Sequence, residues 1–321
     1  MAPSSSTSPG WSYAKGLVEL ADGVHAYLQP DGGWGWSNAG LVVGEEDSLL
    51  VDTLFDLKLT AEMLGTMDPL VERRPIRTLV NTHANGDHCF GNQLVGGAEV
   101  IASAASAAEM EELPPDRLAA MMRADLGETT NAYLHKAFGP FEFDGIEPPH
   151  ADRTFSTRLR LDDAGRVADL IEVGPAHTAG DVLVHLPEAR VMFTGDILFI
   201  GGTPIVWAGP VANWITACQT ILELDCDTIV PGHGPITDRA GVEAVAGYLE
   251  FVWSEAGARF AGGMSAEDAA RDIDLGAYRD WLDWERLVIN VDSVYNELDP
   301  NRARSNVLDL FRQMAELEAR G

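Results

Sequence analysis

Three cysteines, Cys89, Cys218 and Cys226, are all that the 321 residues contain, and no two form a CxxC pair. An odd number of widely spaced thiols builds no disulfide framework and fits a reducing compartment. Long apolar runs are missing too: no stretch approaches the roughly eighteen residues that a membrane span requires. The opening MAPSSSTSPGW lacks the basic-then-apolar pattern of a secretory leader, which predicts a cytoplasmic protein that does not enter a membrane. The largest shortage is of positive charge. Against 50 acidic side chains stand 22 basic ones, of which only Lys15, Lys58 and Lys136 are lysines, leaving a net charge of −28. A field of that sign repels phosphate polymers and anionic lipid, so nucleic acid is a poor partner.

What is present suits a globular enzyme: 46% hydrophobic and 22% charged residues. The length allows one large domain or two small ones at about 150 residues each. After a Ser/Pro-rich start, β-forming runs at His25–Gln29, Leu41–Val43 and Ser48–Asp52 alternate with turns, as in an antiparallel meander. A helical stretch over Leu57–Met67 precedes a strand at Ile76–Thr82. A second β-rich block covers Arg158–Leu161, Ala168–Val173, Val182–Leu186, Arg190–Thr194 and Thr228–Val230, and the whole predicts two packed sheets covered by helices. Ser103–Phe138, interrupted by Pro114 and Pro115, and Ala240–Arg320 read as added helices that either cap a site or cover a sheet face.

Four of the eight histidines sit in short turns directly after strand-like runs. The densest cluster is Thr82-His83-Ala84-Asn85-Gly86-Asp87-His88, in which strand alternation is expected to throw His83 and Asn85 to one side while Asp87 and His88 start a helix. His177 lies in Gly174-Pro175-Ala176-His177-Thr178, Asp196 in Thr194-Gly195-Asp196, and His233 in Pro231-Gly232-His233-Gly234. Histidine and aspartate without thiolate suit zinc or a comparable divalent transition metal. One such histidine alone is more often structural; four at strand ends point to a hydrolytic metal centre. His25 and His185 fall inside strand-like runs and His135 and His150 in the inserted region, and none of these is assigned to metal.

The ordered set Asp52, His83 to His88, His177, Asp196 and His233 resembles the metallo-β-lactamase superfamily over roughly residues 17–240. That resemblance implies an α/β fold, an αββα sandwich with metals at one edge, here with a helical insertion at about 103–150 and C-terminal helices at 241–321 packed on the same domain; residues 1–16 are expected to be a flexible terminus. It implies one zinc held by Asp87, His88 and His233, a second held by His83 and His177, a bridging Asp196, and Asp52 fixing the ligand loop through hydrogen bonds. Asn85 departs from the family's His-x-His-x-Asp-His. A neutral amide oxygen is a poorer donor than imidazole, so the site of His83, Asn85 and His177 is expected to bind more weakly.

The stretches Gln29–Gly40 and Asn81–Asn92 look more narrowly like the second-ring cyclases of bacterial aromatic polyketide pathways. This implies intramolecular aldol closure on a chain bound to an acyl carrier protein, with or without thioester hydrolysis. Zinc chemistry suits both steps, since the ion polarises carbonyls and activates water. Asp87 and Asn85 then act at the reacting centre, Trp34 and Trp36 face a flat substrate, and Tyr295 reaches in from the C-terminal helices as proton donor. The competing readings are a thioester or lactone hydrolase similar to glyoxalase II, and a metal-poor ligand-binding relative. Because acyl carrier proteins are acidic, docking needs a local basic patch. Arg73, Arg74 and Arg77 form one candidate, and Arg117 or Arg123 on the inserted helices is the preferred one.

Overall fold

A computed structural model describes residues 11–112, 114–162 and 165–320. Residues 1–10 of the expected flexible terminus lie outside that set; within the remainder, Tyr13 donates a hydrogen bond to the Gln29 carbonyl at 2.9 Å. Among the described residues, strands β1 (Gly16–Ala21), β2 (Val24–Leu28), β3 (Ala39–Val43), β4 (Ser48–Val51), β5 (Ile76–Val80), β6 (Glu99–Ser103) and β7 (Arg153–Phe155) form one sheet in sequence order. Pairing is antiparallel from β1 to β4, the expected meander, and parallel from β4 to β7. The second sheet, in the order β12-β11-β10-β9-β8, comprises β8 (Arg158–Leu161), β9 (Ala168–Glu172), β10 (Val182–Leu186), β11 (Val191–Phe193) and β12 (Thr228–Val230). It is antiparallel except for the β11–β12 pair.

Strands β2, β3, β4 and β10 are buried at every residue, which is why they read as near-continuous apolar runs. The two faces divide by the two-residue period. Ala26, Leu28, Val42, Val51 and Val80 of the first sheet pack against Leu170, Val182, Val184 and Phe193 of the second. Tyr27, Leu41, Leu50 and Leu79 on one outer face, and Ile171, Leu183, Met192 and Ile229 on the other, belong instead to the core shared with the helices. Four layers result, the expected αββα sandwich. At Gly40 any Cβ would run into the Phe193 ring across the sheets, so only glycine allows this approach.

Helix α1 (Leu57–Val71) starts where Asp56 caps it, accepting the Leu59 N–H at 2.7 Å, and buries Leu59, Met63 and Met67 at four-residue spacing. The short α2 (Gly86–Cys89) follows β5. The insertion forms α3 (Ala104–Glu112), α4 (Pro115–Arg123) and α5 (Glu128–Phe138), with Pro115 in the first turn of α4, where its missing N–H costs nothing. Helices α6 (Val211–Glu223), α7 (Arg239–Ala261), α8 (Ala266–Asp272), α9 (Leu287–Leu298) and α10 (Val307–Glu318) complete the chain. Insertion and C-terminal helices meet: Tyr133 of α5 donates to Glu285 at 2.7 Å, Lys136 pairs with Glu318, and the Phe138 and Phe311 rings lie 5.9 Å apart. No described helix is long and apolar enough to cross a membrane.

Candidate metal centre

Every proposed ligand lies just beyond a strand end at one edge of the sandwich. Strand β5 stops at Val80, two residues before the expected Thr82, because the Asp52 carboxylate takes over the backbone there: Oδ1 accepts the Thr82 N–H at 2.7 Å and Oδ2 the Thr82 hydroxyl at 2.7 Å. His83 and Asn85 therefore sit in a loop, and their direction is not set by strand alternation. Asp52 itself has φ +62°, a left-handed conformation that aspartate tolerates better than most residues. Its Oδ2 also holds Nδ1 of His88 at 2.9 Å, which turns Nε2 toward the site. His177 occupies the β9–β10 connection with Nδ1 on the Ile205 carbonyl at 2.7 Å, Asp196 a 3-10 turn after β11, and His233 the loop after β12. Gly232 is needed beside them, since a Cβ there would strike Oδ1 of Asp196.

These side chains converge. Nε2 of His233 lies 3.2 Å from Oδ2 of Asp87 and 3.3 Å from Oδ2 of Asp196; Nε2 of His177 is 3.3 Å and Nε2 of His83 3.8 Å from the same Asp196 oxygen. Asp87, His88 and His233 form one group of possible ligands, and His83, His88 and Asp196 another, each with its donor atoms within 4.8 Å of one another. Nε2 of His83 is buried without any hydrogen-bond partner, and the buried Nε2 of His88 and Oδ1 of Asp196 face only each other, 3.0 Å apart. Orphaned polar atoms are costly in a protein interior, and here they are imidazole and carboxylate donors aimed at one point, which suits a divalent cation.

The electrostatics of the cluster agree with this. Burial pushes His177 down to about 4, and burial together with the neighbouring His88 holds His83 well below its ordinary value, so both rings are neutral at neutral pH. Burial also disfavours charge on His233, but Asp196 and Asp87 outweigh it and raise the group to about 9. In His88 burial is likewise overcome, by Asp196, Asp52 and Asp87. Without a cation, protons on these two rings offset the carboxylates; a metal ion would displace them.

Asn85 is brought to the same place, its Nδ2 3.0 Å from Nε2 of His177. Because His177 donates Nδ1–H to Ile205, its Nε2 carries the lone pair and the Asn85 amide donates to it. Asn85 thus covers the histidine nitrogen a second ion would need. We expect Asn85→His to raise bound zinc from about one equivalent toward two, read by elemental analysis after dialysis against a zinc buffer; unchanged stoichiometry would show that position 85 does not limit the second site.

A cavity of about 670 Å³ opens over the centre, with Asn85, Asp87, His177, Asp196 and His233 on its floor. Trp34, Phe55, Phe138, Phe199, Trp207 and Phe311 line it. Trp34 therefore faces the cavity. Trp36 does not line it and packs on Phe141 with ring centroids 4.9 Å apart. Tyr295 corrects the proton-donor expectation: its hydroxyl donates to the Met264 carbonyl at 3.2 Å and its ring meets Phe260, on a side of α9 away from the cavity. Arg117 lines the wall, while Arg123 is exposed and paired with Asp144. Two polar wall residues escaped the sequence reading. Glu109, raised by burial, accepts the Ala179 N–H at 3.0 Å, and Arg286 arrives from the residue before α9; neither stands in a recognisable motif.

The sequence profile of the metallo-beta-lactamase superfamily matches residues 32–233, and the chain belongs to that superfamily. A 2,4-dinitroanisole O-demethylase subunit alpha from Nocardioides sp. (strain JS1661) is 24% identical over 258 residues, 73% of this chain and 69% of that one. A hydroxyacylglutathione hydrolase from Rhizobium meliloti (strain 1021) is 35% identical over 104 residues, 31% of this chain and 40% of the relative's length. Among solved structures, a metallo-beta-lactamase from Pontibacter korlensis superposes with a TM-score of 0.55 at 21% identity, over 73% of this chain and 98% of that chain. The sec-alkylsulfatase Pisa1 from Pseudomonas sp. reaches 0.63 at 16% identity, over 90% and 51%. At these identities the structural likeness speaks for the fold alone.

Proposed function

We propose that the protein is a zinc-dependent cyclase that closes a second ring on an aromatic polyketide chain by intramolecular aldol condensation, with thioester hydrolysis as the companion reaction at the same centre. The observation that supports this reading best is the cavity, whose aromatic walls suit a flat, oxygenated substrate and whose floor is the ligand cluster. A bound divalent ion supplies Lewis acidity for a carbonyl and its enolate. The chain's own residues do the rest. Trp34, fixed by its Nε1–H to the Tyr133 hydroxyl at 3.2 Å, offers a rigid ring face for the substrate. Glu109, whose carboxyl is raised by burial, is suited to exchanging a proton with it. Phe55, Phe138 and Phe311 exclude water from a reactive polyketone.

A relative's name favours a second reading, hydrolysis of the thioester alone. Mass spectrometry of products from a thioester-bound polyketide mimic separates the two. Loss of water marks ring closure with aromatisation, an uncyclised acid marks hydrolysis only, and unchanged substrate rejects both.

A carrier-bound substrate adds an expectation for Arg117, the exposed cation on the cavity wall. Arg117→Glu should slow turnover of carrier-bound substrate about fivefold at low salt, with the gap closing as ionic strength rises, and spare a small thioester mimic. Equal losses on both substrates would reject a docking role.

A further inference from the structure

We propose that Arg286 is the anion-recognition group of the cavity, binding a carboxylate or enolate oxygen of an aromatic substrate whose reacting end lies at the metal ligands. The inference rests on the reading of this cavity as the substrate site. Arg286 is among the largest fully buried side chains of the protein, 2% exposed, yet it lines the cavity. Two of its nitrogens are pinned: Nη1 donates to the Thr203 carbonyl at 2.9 Å and Nη2 pairs with Asp283 at 2.8 Å. Its Nε–H is buried with no partner. A charged donor left unmet in a wall costs free energy that an arriving oxygen acceptor would recover.

The surroundings define what that acceptor is attached to. The guanidinium lies 4.1 Å from the Trp34 ring centroid and 5.4 Å from that of Phe199. Phe199 in turn stacks on His233, the planes 2° from parallel and the centroids 5.0 Å apart. Arg286 therefore stands one aromatic ring from a metal ligand, beside the face on which a flat substrate would lie. Of the two arginines lining the cavity, Arg117 is exposed and Arg286 is the buried one. With Asp283 already pairing Nη2, what Arg286 offers a negative or strongly polarised oxygen is the unmet Nε–H of a charged group.

The test measures binding rather than turnover, so its outcome is independent of whether the protein cyclises or only hydrolyses. Calorimetric titration of the zinc-loaded protein with 2-naphthoate and with the neutral 2-naphthamide compares wild type with R286K. Naphthoate should bind about tenfold more weakly to the variant while naphthamide changes less than twofold, because lysine keeps the charge but has no Nε–H in the fork. The double variant D283N/R286M removes both members of the Asp283–Arg286 pair together and should show the same selective loss even where R286K is poorly folded. Unchanged naphthoate affinity in either folded variant, as when the carboxylate sits on zinc instead, overturns the assignment. Equal losses for both probes overturn it too.

Discussion

Zinc content should fall to background in both His88→Ala and His233→Ala, and turnover should drop by about three orders of magnitude, since each substitution removes an imidazole from the Asp87, His88 and His233 group. The two variants should nevertheless differ in stability. His88 is the partner of Asp52, a fully buried carboxyl that burial already drives upward. Deleting the ring leaves that carboxyl with the two Thr82 hydrogen bonds alone and no opposite charge, and removing one member of a buried pair costs up to about 3–5 kcal/mol. His233 also offsets buried carboxylates, its Nε2 facing Asp87 and Asp196, but its Nδ1 has no partner, whereas both ring nitrogens of His88 face carboxylates, Nδ1 that of Asp52 at 2.9 Å and Nε2 that of Asp196 at 3.0 Å. We therefore expect His88→Ala to melt below His233→Ala when both are compared metal-free by calorimetry. Wild-type zinc and turnover in both proteins would defeat the ligand assignment, and equal melting would defeat the role given to Asp52.

Trp214→Ala should destabilise the protein by about 4 kcal/mol, as large aromatic-to-alanine changes in cores do. Trp214 is completely buried on α6, donates Nε1–H to the Ile197 carbonyl at 3.0 Å, and meets the His177 ring edge-on at 5.7 Å. Truncation opens a void beneath a ligand and orphans a carbonyl beside Asp196. Denaturant unfolding gives the energy. Trp214→Phe, which keeps the ring contact but not the N–H, should recover more than half of it, and no recovery would mean that the hydrogen bond, not packing, carries the effect.

The cluster of candidate ligands was legible in the sequence because its residues follow strands inside turns that contain Gly or Pro, a local pattern that needs no tertiary knowledge. The fully buried strands were legible for the same reason. Strand β1 was not marked, since its half-buried, edge-lying residues include the outward Glu19 and show little contrast between faces. Strands β6 and β7 also went unread, β7 being three residues long. The end of β5 depended on the Asp52 carboxylate thirty residues away. The wall of the cavity was the least legible part. Whether Tyr295 or Arg286 turns toward it is decided by how the C-terminal helices pack on α5 and on the Trp34 loop, and the eight buried residues of α9 present no single apolar stripe from which that could be deduced.

Floor and wall come from different stretches of chain. The floor is drawn from the turns after β5, β9, β11 and β12, whereas the wall is built by α4, α10 and the segment entering α9. Val307 and Leu308 at the start of α10 are exposed and line the opening. Substitutions there change what is admitted without disturbing any group that holds the ion. Selectivity and reactivity can therefore drift independently, and a new substrate for this chain is best sought by varying helices that never touch the metal ligands.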